Sequence, residues 1–270
     1  MQLFVSPGAP SPRRVEMFMV EKGISGIELV NLDLNAQEYK GEAYRAKSPL
    51  AKVPALELDD GRVLTETRAI CTYLEGLYPE PNLMGTTFEE RAFIEMADRR
   101  VEFYLLGGIA NVVRHTHPGL APLEQPQFPE FGQAQVHKVR EVAAWFDHVL
   151  ERQPWIAGER FTIADITAYC AIEFARLMKF HPGKEGMSAL QAWRERMAER
   201  PSAKLVGDGP SAAVHDTQGA LLGCLLLTST RCAHTRGGLP MHVSLPGTLS
   251  ESYETAARFH ADRRPHKLLL

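Results

Sequence analysis

Apolar positions along the first eighty residues come in short runs separated by turn-forming residues. Leu3-Phe4-Val5 is one such run, stopped by Ser6-Pro7-Gly8, so Gln2 to Val5 predicts a strand. Arg13 to Lys22 predicts a helix closed by Gly23. Glu28 to Leu32 predicts a second strand, and Gln37 to Ala46 a short, polar helix or loop. Ala55 to Leu58 and Arg62 to Leu64 flank Asp59-Asp60-Gly61, the signal of a tight hairpin. Glu66 to Tyr78 then predicts a helix, stopped by Pro79 and Pro81. The order is βαβ followed by ββα.

From Thr87 the period changes to that of helices. Phe88 to Val113 predicts one long amphipathic helix, ended by Pro118, and a proline-rich loop runs from Pro118 to Pro129. Gln133 to Leu150, Ile163 to Met178 and Ser188 to Arg200 complete the helical set. Thr162 to Asp165 has the spacing of a capping box and reads as structural. The predicted fold class is α/β followed by all-α: a domain of thioredoxin size at residues 1–82, then a helical domain at residues 87–203. Residues 204–270 show no sustained period and predict a disordered extension that carries no function.

Composition narrows the picture only a little. The 270 residues are 44% hydrophobic and 23% charged, as in an ordinary globular protein. A net charge of −3 gives no reason to expect nucleic acid or an anionic membrane as a partner. Cys71, Cys170, Cys224 and Cys232 are scattered, with no CxxC and no Cys/His cluster at metal spacing, so no metal site is expected and a reduced, cytoplasmic setting is. No basic-then-apolar leader precedes the first strand, and the longest apolar run, Ala220 to Leu227, is too short to span a bilayer.

Three segments carry a resemblance. Ser48-Pro49-Leu50-Ala51-Lys52-Val53-Pro54-Ala55-Leu56 resembles the pattern N-P-x-G-K-V-P-x-L, and Leu64-Thr65-Glu66-Thr67-Arg68-Ala69-Ile70 resembles L-x-E-S-x-A-I. Trp155-Ile156-Ala157-Gly158 followed by Phe161 to Asp165 is similar to the matching helical-domain signature. In order and spacing, about the first 200 residues resemble the glutathione transferase family, whose members join a thioredoxin-like domain to a helical one. The resemblance implies reduced glutathione as cosubstrate and a cis Pro54, with Val53 offering its backbone to the cysteinyl unit as a one-residue strand addition. It also implies that the Thr67 hydroxyl and N–H take the γ-glutamyl carboxylate and that Glu66 meets the ammonium. Lys52 suits the glycyl carboxylate, or is simply a solvated lysine. Read without the resemblance, Thr65 is a helix N-cap, Glu66 a dipole-favouring acid and Pro54 the mark of an edge strand.

The turn from Ser6 to Val15, SPGAPSPRRV, departs from the family. Ala9 stands where the serine-type classes carry their thiol-activating serine, and Pro10 where the cysteine-type class carries its cysteine; neither donates a hydrogen bond. Ser11 is the nearest hydroxyl, and reads both as the N-cap, with Pro12 at the first helical position, and as a donor to the thiol. Of Arg13 and Arg14, one reads as solvated or domain-bridging and the other as a partner for a thiolate or anionic substrate. The stretch Asn111 to Leu120 resembles that of an atypical bacterial-type subgroup lacking the usual Ser, Tyr or Cys, in which a histidine orients a water near the thiol. His115 takes that role here, or else interacts with free carbonyls at a helix end. The expectation is therefore a homodimeric glutathione transferase that attacks a small hydrophobic electrophile held near Phe103, Tyr104, His115 and Phe174. The rivals are a glutathione- or protein-binding module without catalysis, and a glutathione-dependent isomerase, peroxidase or dehalogenase.

Overall fold

The computed structural model describes residues 1–205. Four strands form one sheet: β1 (Gln2–Val5), β2 (Glu28–Asn31), β3 (Ala55–Glu57) and β4 (Val63–Thr65), in the order β2-β1-β3-β4. β1 runs parallel to β2 (Phe4 opposite Val30) and antiparallel to β3 (Leu3 opposite Leu56). β3 and β4 form the expected hairpin, closed by the Gly61 N–H on the Leu58 carbonyl at 3.0 Å with Gly61 at φ +82°. The parallel pair needs a crossover, which α1 (Pro10–Glu21) supplies.

Alternation along β1 sorts the side chains by face. Leu3 and Val5 enter the main core beneath α1 and α3 (Thr67–Leu77), whereas Phe4 joins a smaller cluster with Tyr39, Tyr44, Ala51 and Ala55. The polar segment expected at residues 37–46 is a 3₁₀ turn, Glu38–Lys40, followed by the one-turn α2 (Glu42–Arg45), which places Tyr44 in that second cluster.

The long helix expected from Phe88 to Val113 has three parts: α4 (Phe88–Arg100), a π-helical stretch (Val101–Leu106) and α5 (Gly107–Thr116). A wider turn of this kind shifts the register of everything after it, and hydrophobic period alone does not reveal it. α6 (Pro129–Leu150) crosses α5 closely, because a Cβ on Gly132 would lie 2.7 Å from Thr116 Cγ2 and 3.1 Å from His115 Cβ. α7 (Ile163–Ala175), α8 (Ser188–Ala198) and α9 (Pro201–Leu205) follow. The main core is continuous between the domains; Met17 of α1 meets Cys170 of α7, sulfur to sulfur at 3.6 Å. The extension expected at residues 204–270 lies outside the described residues, apart from Lys204 and Leu205, which continue α9.

The segment joining the domains is latched by a buried ion pair. Lys22 Nζ reaches Glu75 at 2.6 Å and the Pro81 carbonyl at 2.7 Å, and the other Glu75 oxygen accepts the Leu83 and Met84 N–H groups. Asp165 does similar work inside the helical domain. It accepts from the Thr162 N–H and Oγ1, the carboxylate half of the capping box, and from the Ile156 N–H and Trp193 Nε1. Burial nevertheless pushes its carboxyl up to about 6. Asp165→Ala strands those donors in the core and is expected to lower stability by about 2–4 kcal/mol in urea unfolding. A loss below about 0.5 kcal/mol would show that the donors find other partners.

Candidate active site

The turn before α1 is built by Pro7 and Gly8. The Ala9 N–H donates to the Ser6 carbonyl at 3.1 Å and Gly8 has φ +81°, a type II turn with proline and glycine at its central positions. The helix starts earlier than the sequence suggested: Ala9 is the N-cap, in extended conformation, and Pro10 is the first helical residue. Ser11 is therefore not the N-cap, and Pro12 is not at the first position. Gly8 completes the reversal early enough for Pro10 to take the place in which its missing N–H costs nothing.

That shift leaves few donors at the helix end. Pro10 and Pro12 have no N–H, and the Arg13 N–H returns to the Ala9 carbonyl at 3.3 Å. The Ser11 N–H remains, and the Ser11 hydroxyl has no hydrogen-bond partner among the described residues.

α3 meets this turn. Thr65 is the last residue of β4, opposite Ala55, so it is not the cap expected of it. The chain reverses at Glu66, which is the N-cap with φ +66°, and Thr67 opens the helix. Glu66 is exposed, while Thr67 is buried and donates its hydroxyl to the Ser11 carbonyl at 3.2 Å. Two helix N-termini thus stand side by side, α1 offering the Ser11 N–H and α3 those of its first turn, each with partial positive charge.

The third wall is the loop before β3. The Val53–Pro54 peptide is cis, as the resemblance implied. Nothing among the described residues hydrogen-bonds the Val53 N–H or carbonyl. The Lys52 ammonium is exposed and unpaired among the described residues. Ala51 takes φ +52°, a left-handed position where the family pattern carries glycine.

Of the two arginines, Arg14 bridges the domains. It is buried, with Nη1 on Glu102 at 2.7 Å and Nε on the Thr167 hydroxyl at 3.2 Å. Burial opposes its charge, but Asp98 and Glu102 outweigh that and its pKa is raised. The Arg13 guanidinium lies over the Tyr169 ring, 5.4 Å from its centroid, in a cation–π contact. Thr167 donates in turn to the buried Asp98 at 2.6 Å, and Asp98 also pairs with Arg68 (3.2 Å) and Arg99 (2.9 Å). Arg68 directly follows Thr67, so this network underlies both helix N-termini.

His115 occupies the last turn of α5, and its contacts are with α6. Its Nδ1 accepts the Phe128 N–H at 3.1 Å, and its ring packs on Phe128 and Phe131. Phe103 and Tyr104 sit on the π-helical turn and are exposed; Tyr104 lines, with Arg100, Val142, Trp145 and Phe146, a cavity of about 280 Å³ beside α6. None of these three residues touches the α1 turn through a hydrogen bond or ring contact. Sequence reasoning missed Leu123. It reaches from the α5–α6 loop to the Tyr39 and Tyr44 cluster, on whose rim Val53 also lies. A lone leucine in a proline-rich loop gave no signal of that contact.

Cys71 and Cys170 are buried free thiols, which burial pushes up to about 12 and about 11. Among the described residues no group of three or more His, Cys, Asp or Glu could hold a metal ion. No helix among them is long and apolar enough to cross a membrane.

The sheet order and the bundle packed on it define a thioredoxin-like domain with an appended helical domain. Residues 3–82 match the glutathione S-transferase N-terminal domain, and residues 115–201 the C-terminal domain of the same family. Glutathione S-transferase 2 of Saccharomyces cerevisiae is 37% identical over 206 residues, spanning 76% of this chain and 88% of that protein. Glutathione S-transferase GstA of Escherichia coli O157:H7 is 33% identical over 203 residues, 74% of this chain and 94% of that one. The crystal structure of a glutathione S-transferase domain-containing protein from Marinobacter aquaeolei VT8 superimposes with a TM-score of 0.72 at 38% identity, covering 75% of this chain and all (100%) of that one. The chain belongs to the glutathione S-transferase family of enzymes.

Proposed function

We propose that the protein conjugates reduced glutathione, through its thiolate, to a small hydrophobic electrophile. The observation that carries this reading is the Thr67 hydroxyl on the Ser11 carbonyl, which sets the α1 and α3 N-termini beside one another. The Thr67 N–H takes the γ-glutamyl carboxylate, the hydroxyl expected to share it being spent on the Ser11 carbonyl, and Glu66 takes the ammonium. Val53 pairs with the cysteinyl backbone, and Lys52 meets the glycyl carboxylate.

A free thiol has a pKa of about 8.5, and each unit of depression takes about 1.4 kcal/mol of preferential thiolate stabilisation. Ser11 supplies it with two donors, its hydroxyl and its N–H, at the positive end of a 12-residue helix. The thiol proton passes to solvent. The sulfur then bonds to the electrophilic carbon, and the displaced electron pair leaves with the departing group or enters the acceptor's conjugated system.

His115 orients a water toward the sulfur. With Nδ1 accepting from Phe128, the proton of the neutral ring sits on Nε2, free to donate. The exposed Phe128 and Phe131 rings beside it support an apolar acceptor, and Leu123 brings the same loop toward the Val53 side. The exposed apolar side chains Phe88, Phe93, Met96 and Tyr104 along α4 and the π-helical turn support a homodimer. Cys71 and Cys170, buried and free, accord with the cytoplasm.

One observation favours a second reading. The N-cap, Ala9, has no side-chain donor, as in a module that binds glutathione without activating it. Two sets of variants separate the readings. Glu66→Ala combined with Thr67→Ala is expected to weaken glutathione binding at least about tenfold, read by calorimetry; unchanged affinity would remove the α3 site. Ser11→Ala is expected to lower turnover of a chromogenic aryl halide by about 10²-fold with binding kept, and His115→Ala by about tenfold. Turnover unaffected by both changes would contradict the proposed activation, and no turnover in the wild type would favour the second reading.

A further inference from the structure

We propose that Tyr44 and Ser48 are positioning residues for glutathione: by gripping the Lys52 carbonyl they aim the Val53 N–H at the cosubstrate. The inference rests on the reading of Val53 as the glutathione edge and says what holds that edge in place.

The geometry is a loop folded back on one side chain. Ser48 is 1% exposed. Its hydroxyl donates to the Lys52 carbonyl at 2.9 Å and accepts the Lys52 N–H at 3.2 Å. The Ala51 N–H closes on the Ser48 carbonyl at 2.8 Å, and the left-handed Ala51 turns the chain back toward Ser48. Tyr44 adds a second donor to the same carbonyl at 2.6 Å. Its ring is buried against Phe4, with centroids 5.6 Å apart, and burial raises the phenol pKa further.

What this does to Val53 follows from the peptide plane. The Lys52 carbonyl and the Val53 N–H belong to one peptide unit, which is not among the cis bonds of the chain. In a trans peptide the two groups point in opposite directions. Two donors on the carbonyl turn it into the cluster, so the N–H points away from it, where nothing among the described residues meets it. Residues 51–54 precede β3 and have no ladder to fix that plane. Rotating it would strand two buried hydroxyls, so the pair opposes rotation in the free protein and spares glutathione the cost of ordering the edge.

The test uses the full chain and glutathione itself. Tyr44→Phe and Ser48→Ala are each expected to raise the Kd and KM for glutathione about three- to tenfold, with kcat at saturating glutathione and the KM for the electrophile within about twofold of wild type. Ser48→Thr, which keeps the hydroxyl, restores affinity. Wild-type affinity in both hydroxyl-deletion variants overturns the proposal. So does a fall in kcat and thermal midpoint that accompanies the affinity loss, since that marks a general structural role. The reading beneath it is checked separately, by the nitrogen-15 resonance of the Val53 amide in the wild type. Glutathione is expected to shift it, and no shift would remove the Val53 edge whatever the variants do.

Discussion

A carboxylate buried where the two domains meet organises this molecule. Asp98 is fully buried, an arrangement that is costly for an ion unless cations and hydrogen bonds surround it. It has them: Arg68 from α3, Arg99 from its own helix and the Thr167 hydroxyl from α7. Thr167 also takes Arg14 from α1, and Arg14 and Arg99 both pair with Glu102 on the π-helical turn. Each partner comes from a different element, so the network joins α1, α3, α4, α7 and the π-helical turn. The network therefore fixes α1 and α3 relative to the helical domain more tightly than apolar packing would, because ion pairs are directional and hydrophobic contact is not.

The candidate site is the outer surface of that arrangement. Arg68 is adjacent to Thr67, and Arg14 lies one helical turn from Ser11, so the two N-termini are held from below. Above them the Thr67 hydroxyl joins α3 to the α1 turn. Prolines at two of the first three positions of α1 strip away backbone donors until Ser11 carries those that remain. Val53, two residues before the Ala55 that pairs with Thr65, keeps its backbone polar groups unspent among the described residues. Helix-end charge and unpaired backbone, both liabilities in a finished core, are what an anionic peptide requires.

Much of the fold was legible because local chemistry and tertiary packing agree. The apolar run Leu3-Phe4-Val5 gave a strand, Asp60-Gly61 gave the hairpin, and Thr162 with Asp165 gave the start of α7. The helix starts at Ser11 and Thr65 were misplaced for a shared reason. A hydroxyl looks like a cap, yet Gly8 and the positive φ of Glu66 turned the chain at other residues. The π-helical turn left no trace, since an i→i+5 bond has no residue preference of its own. Of the proposed site, Glu66, Thr67 and Val53 came from the resemblance, and the cis Val53–Pro54 peptide it implied is present. Arg14 was not assigned, because an arginine in a first helical turn looks solvated until its partner from distant sequence is known. Leu123 was invisible for the same reason, and Tyr44 because its partner, the Lys52 carbonyl, lies in a loop whose fold leaves no period in the sequence.

The central claim is that this turn activates a thiol although Ala9 and Pro10 replace the usual donors. Thiolate absorbance of glutathione bound to the full-length protein, followed against pH, tests it most directly. The account predicts a bound-thiol pKa at least about one unit below that of the free thiol, near 8.5. A bound thiol that titrates like the free one, with glutathione still held, would contradict it.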